Sequence, residues 1–114
     1  MLLCTMKIQN EELIHMKTEN CSSLEEVRGY IDQLDEQIVE LIAARNAYVK
    51  KAAQFKESVE EIKGKERMED VMDHVRTRAM ELGVSPNLLT KLYTIMIDEM
   101  VEAEIAEFRN ARSL

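Results

Sequence analysis

Three cations stand where a purely structural helix would carry hydrophobes. Between Ser22 and Lys56 an apolar repeat of Val27, Ile31, Leu34, Ile38, Leu41, Val49 and Ala52 follows the three-and-four spacing that keeps one stripe of a helix dry. Arg45 falls on that stripe, Lys56 extends it, and Arg28 sits at its N-terminal edge. Arg45 and Lys56 are eleven residues apart, close to three turns of about 3.6 residues each, so their side chains leave one face and can flank one small ligand. Arg28 lies ~25 Å further up the axis, so it reaches that ligand only from an antiparallel second copy of the helix. Arg67, just after a break in the pattern, is placed to close over the same pocket. Guanidinium forks and an ammonium converging in this way suit a small dicarboxylate. Alternatively each cation pairs with a nearby acid, Arg28 with Glu25, Lys56 with Glu60, Arg67 with Asp70 and Asp73. The coincidence of Arg45 within the stripe and Lys56 in phase with it weighs against that alternative.

A second candidate stands near the end of the chain, where Ile97, Val101, Glu104 and Phe108 recur at spacings of four, three and four. Glu104 interrupts an apolar row. Buried without a cationic partner, its carboxyl would stay protonated and donate a hydrogen bond; at a wet edge it would be an ordinary surface glutamate. Periodicity leaves both readings open.

Other chemistries find little support. Glu12-x-x-His15 has the spacing used by di-iron bundles, which need that motif twice, and it occurs once. Cys4 and Cys21 lack metal-ligand spacing and read as free thiols in a reducing cytoplasm. No metal and no cofactor are expected. The formal net charge of -7, with no run of basic residues, argues against nucleic acid and an anionic membrane surface as partners. No window approaches the ~18 uninterrupted apolar residues of a spanning helix.

The elements that must position these residues are helices. The composition is 46% hydrophobic, with 3 Gly and 1 Pro, which leaves little turn chemistry for a β-fold. Residues 1–20 are weakly periodic and read as a flexible arm, poorly ordered or only loosely docked, and residues 21–114 as one all-α domain. Ser22 with Glu25 and Ser23 with Glu26 form overlapping capping boxes that start a first helix. It is expected to run from Leu24 to Lys56, ~50 Å, whereas a compact chain of this length has a radius of gyration of ~13 Å. Its dry stripe therefore needs a second chain. Glu57 to Lys65 loses periodicity and reads as a mobile loop. A second helix resumes at Glu66 and stops at Gly83. Ser85-Pro86 opens a third that runs to about Asn110, with Leu89, Leu92, Met96, Met100 and Ala103 on one face.

The ordered set Leu24-x-x-Val27-Arg28-x-x-Ile31-Asp32-x-Leu34-Asp35, Ile42-Ala43-x-Arg45, Phe55-Lys56 and Glu66-Arg67 resembles the all-helical chorismate mutases. Within them it looks most like the branch of the bacterial isochorismate-pyruvate lyases, which open with a stretch similar to Met16-Lys17-Thr18 and Cys21. The resemblance spans Met16 to about Arg112 and implies a three-helix protomer, one helix very long, intertwined into a homodimer with two shared sites. It implies that Arg45 binds one substrate carboxylate and that Arg28 of the partner subunit binds another. Lys56 would donate to the ether oxygen of the bond that breaks, Arg67 would help close the pocket, and Glu104, in the row with Val101, would contact that same oxygen in protonated form. Many dedicated mutases carry Glu directly after the arginine matching Arg67, and this chain has Met68, as in the lyase branch.

The activity so implied is rearrangement of chorismate to prephenate, or alternatively release of salicylate and pyruvate from isochorismate. Neither needs a nucleophile or a metal. The rival from a different class is a non-catalytic helical dimerisation or regulatory module, in which the cations are surface ion pairs.

Overall fold

A computed structural model describes Ile14 and residues 17–112. Most of the expected N-terminal arm, with Cys4, Glu12 and His15, lies outside the described residues. After a short 3-10 turn at Thr18–Asn20, the elements are α1 (Leu24–Ala53), α2 (Val59–Lys63), α3 (Lys65–Leu82) and α4 (Pro86–Arg112). The described residues divide into two compact units, one ending at Asn46 and the other beginning at Ala47. Cys21 is a free thiol. Among the described residues no helix is long and apolar enough to cross a membrane.

The start of α1 uses one of the two expected capping boxes. Ser23 Oγ accepts the Glu26 N–H at 3.1 Å, and Glu26 Oε2 reaches back to accept from Ser22 N–H at 3.1 Å and Ser22 Oγ at 3.0 Å. Ser22 is thus a donor to Glu26, and the cap is Ser23. Along α1 the apolar stripe is exposed in the single chain, with Ile31 at 48%, Ile38 at 52% and Leu41 at 60%.

Two expectations fail at the far end of α1. The helix stops at Ala53, and the last amides turn back on i−3 carbonyls: Gln54 on Lys51, Phe55 on Ala52 and Lys56 on Ala53, at 3.0–3.2 Å. Such bonds tighten and close a helix, so the helical phase that linked Arg45 to Lys56 does not extend to Lys56. The expected loop contains α2. Its N-cap is Ser58, in extended conformation, and its C-cap is Gly64 at φ 42. Gly64 is also the residue from which α3 starts, so two helices meet at one left-handed glycine.

At the other end of α3 the expected stop holds. Val84 N–H bonds Ala79 O at 2.8 Å and Gly83 N–H bonds Met80 O at 3.3 Å, the paired closure of a Schellman motif. Ser85 Oγ accepts from Leu88 N–H at 3.3 Å ahead of Pro86, so α4 begins where Ser-Pro requires.

In the second unit α3 and α2 both pack on α4. Ile62 from α2, Ala79 from α3, and Ile97, Met100 and Glu104 from α4 are buried. Leu92 and Ala103, expected on the dry face of α4, are exposed, because the buried stripe follows Ile97–Met100–Glu104. Arg76 reaches from α3 to Thr90 Oγ1 on α4, and that hydroxyl donates to Pro86 O at 3.0 Å.

The two left-handed glycines differ in their surroundings. A Cβ on Gly83 would meet open space, whereas one on Gly64 would lie 3.3 Å from the Glu61 carbonyl oxygen. Gly83→Ala should cost about 1–2 kcal/mol for its backbone conformation alone. Gly64→Ala should cost more, and urea denaturation of the two variants checks the order.

Candidate active site

The candidate residues fall in both units. Arg28 and Arg45 stand on α1 in the first, Arg28 exposed, Arg45 half-buried and engaged in an interaction of its own. Lys56, Arg67, Met68, Val101 and Glu104 belong to the second. Within that unit Arg67 is exposed and Met68 half-buried on the first turn of α3, and Val101 is half-buried one turn before Glu104.

Among the described residues Glu104 is the buried charge-bearing side chain, 5% exposed, in the unit that also buries Ile62, Ala79, Ile97 and Met100. The wet-edge alternative is thereby removed. Burial pushes its carboxyl above the ordinary carboxylate range, the Lys56 ammonium pulls it back down, and Glu107 on the next turn adds a smaller upward push. Desolvation is the largest of the three. Arg67 does not figure among the charges that act on Glu104. The structure therefore brings Lys56 and Glu104 within electrostatic reach of each other, although not by the helical phase read from the sequence.

Lys56 is half-buried just beyond the end of α1, and its Nζ donates to the Glu61 carbonyl at 3.1 Å. That contact was missed by reading spacing along one helix. Ser58-x-x-Glu61 carried the signal, since a capping box there predicts α2 and hence a carbonyl beside Lys56. A further surface pocket of about 320 Å³ is lined by Val59, Lys63, Glu102, Ile105, Ala106 and Arg109, and contains none of the expected site residues.

An ammonium within electrostatic reach of a carboxyl with a raised pKa offers N–H donors, and an O–H donor as well when that carboxyl is protonated. Such a pair can stabilise negative charge growing on one oxygen of a bound molecule.

The family model described as chorismate mutase type II matches residues 27–105. The chain is 32% identical over 98 residues to isochorismate pyruvate lyase of Pseudomonas aeruginosa, which covers 85% of this chain and 97% of that protein. It is 34% identical over 76 residues to chorismate mutase of Methanocaldococcus jannaschii, which covers 66% of this chain and 77% of that protein.

Because the folded state holds the Glu104 proton more tightly than the unfolded chain does, protonation favours folding. That contribution is complete below the ordinary carboxylate value and is lost as pH rises through the raised one. Glu104→Gln removes the loss, so its stability relative to the parent should grow with pH across the weakly acidic range. Urea denaturation at a series of pH values measures this, and a constant difference would remove Glu104 from the pH dependence.

Proposed function

The chain belongs to the chorismate mutase type II family, and from that premise we propose that it rearranges chorismate to prephenate in a cationic pocket shared between two subunits. Membership and the named relatives make it an enzyme, either a chorismate mutase or an isochorismate pyruvate lyase. The observation that best supports the proposal is Glu104, buried in an apolar row with its carboxyl raised and Lys56 acting on it.

The reaction asks for little covalent participation. One C–O bond breaks as one C–C bond forms within a single molecule, so the catalyst must hold the folded conformer and stabilise charge on the ether oxygen. Neutral Glu104 and the Lys56 ammonium are the two donors to that oxygen. An ionised Glu104 would repel the same charge. Arg45 takes one carboxylate, Arg28 of the partner subunit takes the other, and Arg67 closes the pocket over both. Residues 21–114 form the domain that does this.

The homodimer in this reading is supported by α1 itself. Thirty residues make a helix of about 45 Å, and the exposed Ile31, Ile38 and Leu41 on it need a cover that a second copy of the same helix provides.

Two observations favour the second reading, isochorismate to salicylate and pyruvate. Met68 puts a half-buried thioether directly after Arg67, where a hydroxyl of the ring would need an acceptor. The relative named isochorismate pyruvate lyase is matched along 97% of its length. The same donors serve either reaction, because both develop charge on the ether oxygen.

Purified protein offered chorismate and isochorismate separately should yield prephenate from the first, with the rate falling as pH rises through the Glu104 titration and a flatter profile in Glu104→Gln. Salicylate and pyruvate from the second alone would select the lyase reading, and no product from either would end both. Mixing an Arg28→Ala chain with an Arg45→Ala chain should restore activity to roughly a quarter of the sites, since each heterodimer contains one intact pair. Equal inactivity after confirmed subunit exchange would sink the shared site.

A further inference from the structure

The segment between α1 and α3 is folded around one reciprocal exchange. Ser58 Oγ accepts the Glu61 N–H at 3.2 Å, and Glu61 Oε2 accepts the Glu57 N–H at 2.7 Å. Ile62, 4% exposed, docks the turn in the core, and Gly64 closes it with its N–H on Glu60 O at 3.1 Å. A five-residue helix does not persist in water by itself, because nucleation costs more than so few bonds return. The cap exchange and Ile62 are therefore what keep α2 formed.

One product of that turn faces Lys56. The Glu61 carbonyl accepts from Lys56 Nζ at 3.1 Å. An ammonium has three donors, so this bond occupies one and leaves two. A lysine on a four-carbon stem otherwise samples many rotamers, and tying its head to a fixed carbonyl removes that freedom before any ligand arrives.

We propose that α2 is a pedestal that aims the Lys56 ammonium, with Ser58 and Glu61 as positioning residues that act through the Glu61 carbonyl. That Lys56 is aimed at a reacting oxygen rests on the proposed function; that α2 holds it does not. Ser58 and Glu61 touch no substrate in this arrangement. They set the population of chains in which two N–H donors point the right way, so their loss lowers turnover rather than substrate affinity.

The test compares three variants with the parent. Ser58→Ala/Glu61→Ala removes both arms of the exchange, Ser58→Ala removes one, and Ser58→Asp keeps a capping oxygen. Loss of one cap shifts a helix–coil balance about fivefold, so turnover should fall severalfold in Ser58→Ala and about tenfold in the double variant, with KM changed less than about twofold. Ser58→Asp should retain near-parent turnover.

A second readout needs no activity. Carbon-13 titration of the Glu104 carboxyl should show its pKa rising in the double variant, since a released Lys56 no longer pulls it down, and staying at the parent value in Ser58→Asp. An unchanged or lowered Glu104 titration in a folded double variant overturns the pedestal. If the double variant does not fold, Ser58→Ala alone decides in the same direction at smaller size. A parent that converts neither substrate overturns the functional reading, while the Glu104 titration still decides whether α2 holds Lys56.

Discussion

A carboxyl buried in an apolar row is the constraint on which the second unit depends. Glu104 is buried in the same unit as Ile62, Ala79, Ile97 and Met100, and burial of an ionised carboxylate costs hydration. Two remedies are open to a buried acid, to keep its proton or to acquire a cation, and Glu104 stands between them. Burial raises its pKa and Lys56 lowers it. A fully exposed acid would be ionised throughout the neutral range, and one paired tightly with a cation would be ionised too. Burial moves the balance toward the form that can donate an O–H, and Lys56 moves it back.

Lys56 is near enough for its ammonium to pull the Glu104 pKa back down. The end of α1 is what puts it there. Had the helix continued past Ala53, Lys56 would have been carried along its axis with Arg45; instead three i−3 bonds close it and α2 takes over. The Glu61 carbonyl of α2 draws the ammonium to itself, so Lys56 is partnered by a neutral oxygen and not by a carboxylate. A neutral partner orients the ammonium and leaves its charge available to a ligand.

Much of this was legible in the residues. Ser23 before an apolar repeat, Gly83 after one, and Ser85-Pro86 are signals whose physics is local, and each marks a real boundary. The end of α1 was not legible from periodicity, because Ala52, Ala53, Phe55 and Lys56 continue a plausible helix. What ends it is competition from Ser58, which is worth more as the cap of the next helix than as a surface residue of this one. The buried face of α4 was half legible. Two apolar rows run along that helix, and only packing against α2 and α3 selects Ile97, Met100 and Glu104 over Leu92 and Ala103. The family resemblance named Lys56 and Glu104 together, and in the structure the Lys56 ammonium acts on the Glu104 carboxyl, a proximity that spacing could not give.

Arg45 carries the last step. It interrupts the stripe of Ile31, Ile38 and Leu41 on α1, a surface whose exposure in the single chain suits a hydrophobic partner. On stability alone an aliphatic residue would serve there at least as well, since replacing a desolvated ion pair by well-packed hydrophobes is often neutral or stabilising. A guanidinium retained in such a stripe gives up apolar contact for a planar, permanently charged fork, and that exchange is favourable where a carboxylate must be met bidentately. In the proposed dimer the stripe on either side of Arg45 supplies the association, and Arg45 and the partner's Arg28 supply the recognition. Under that proposal assembly and substrate binding draw on one helix face, and the site would exist only when the two chains are together.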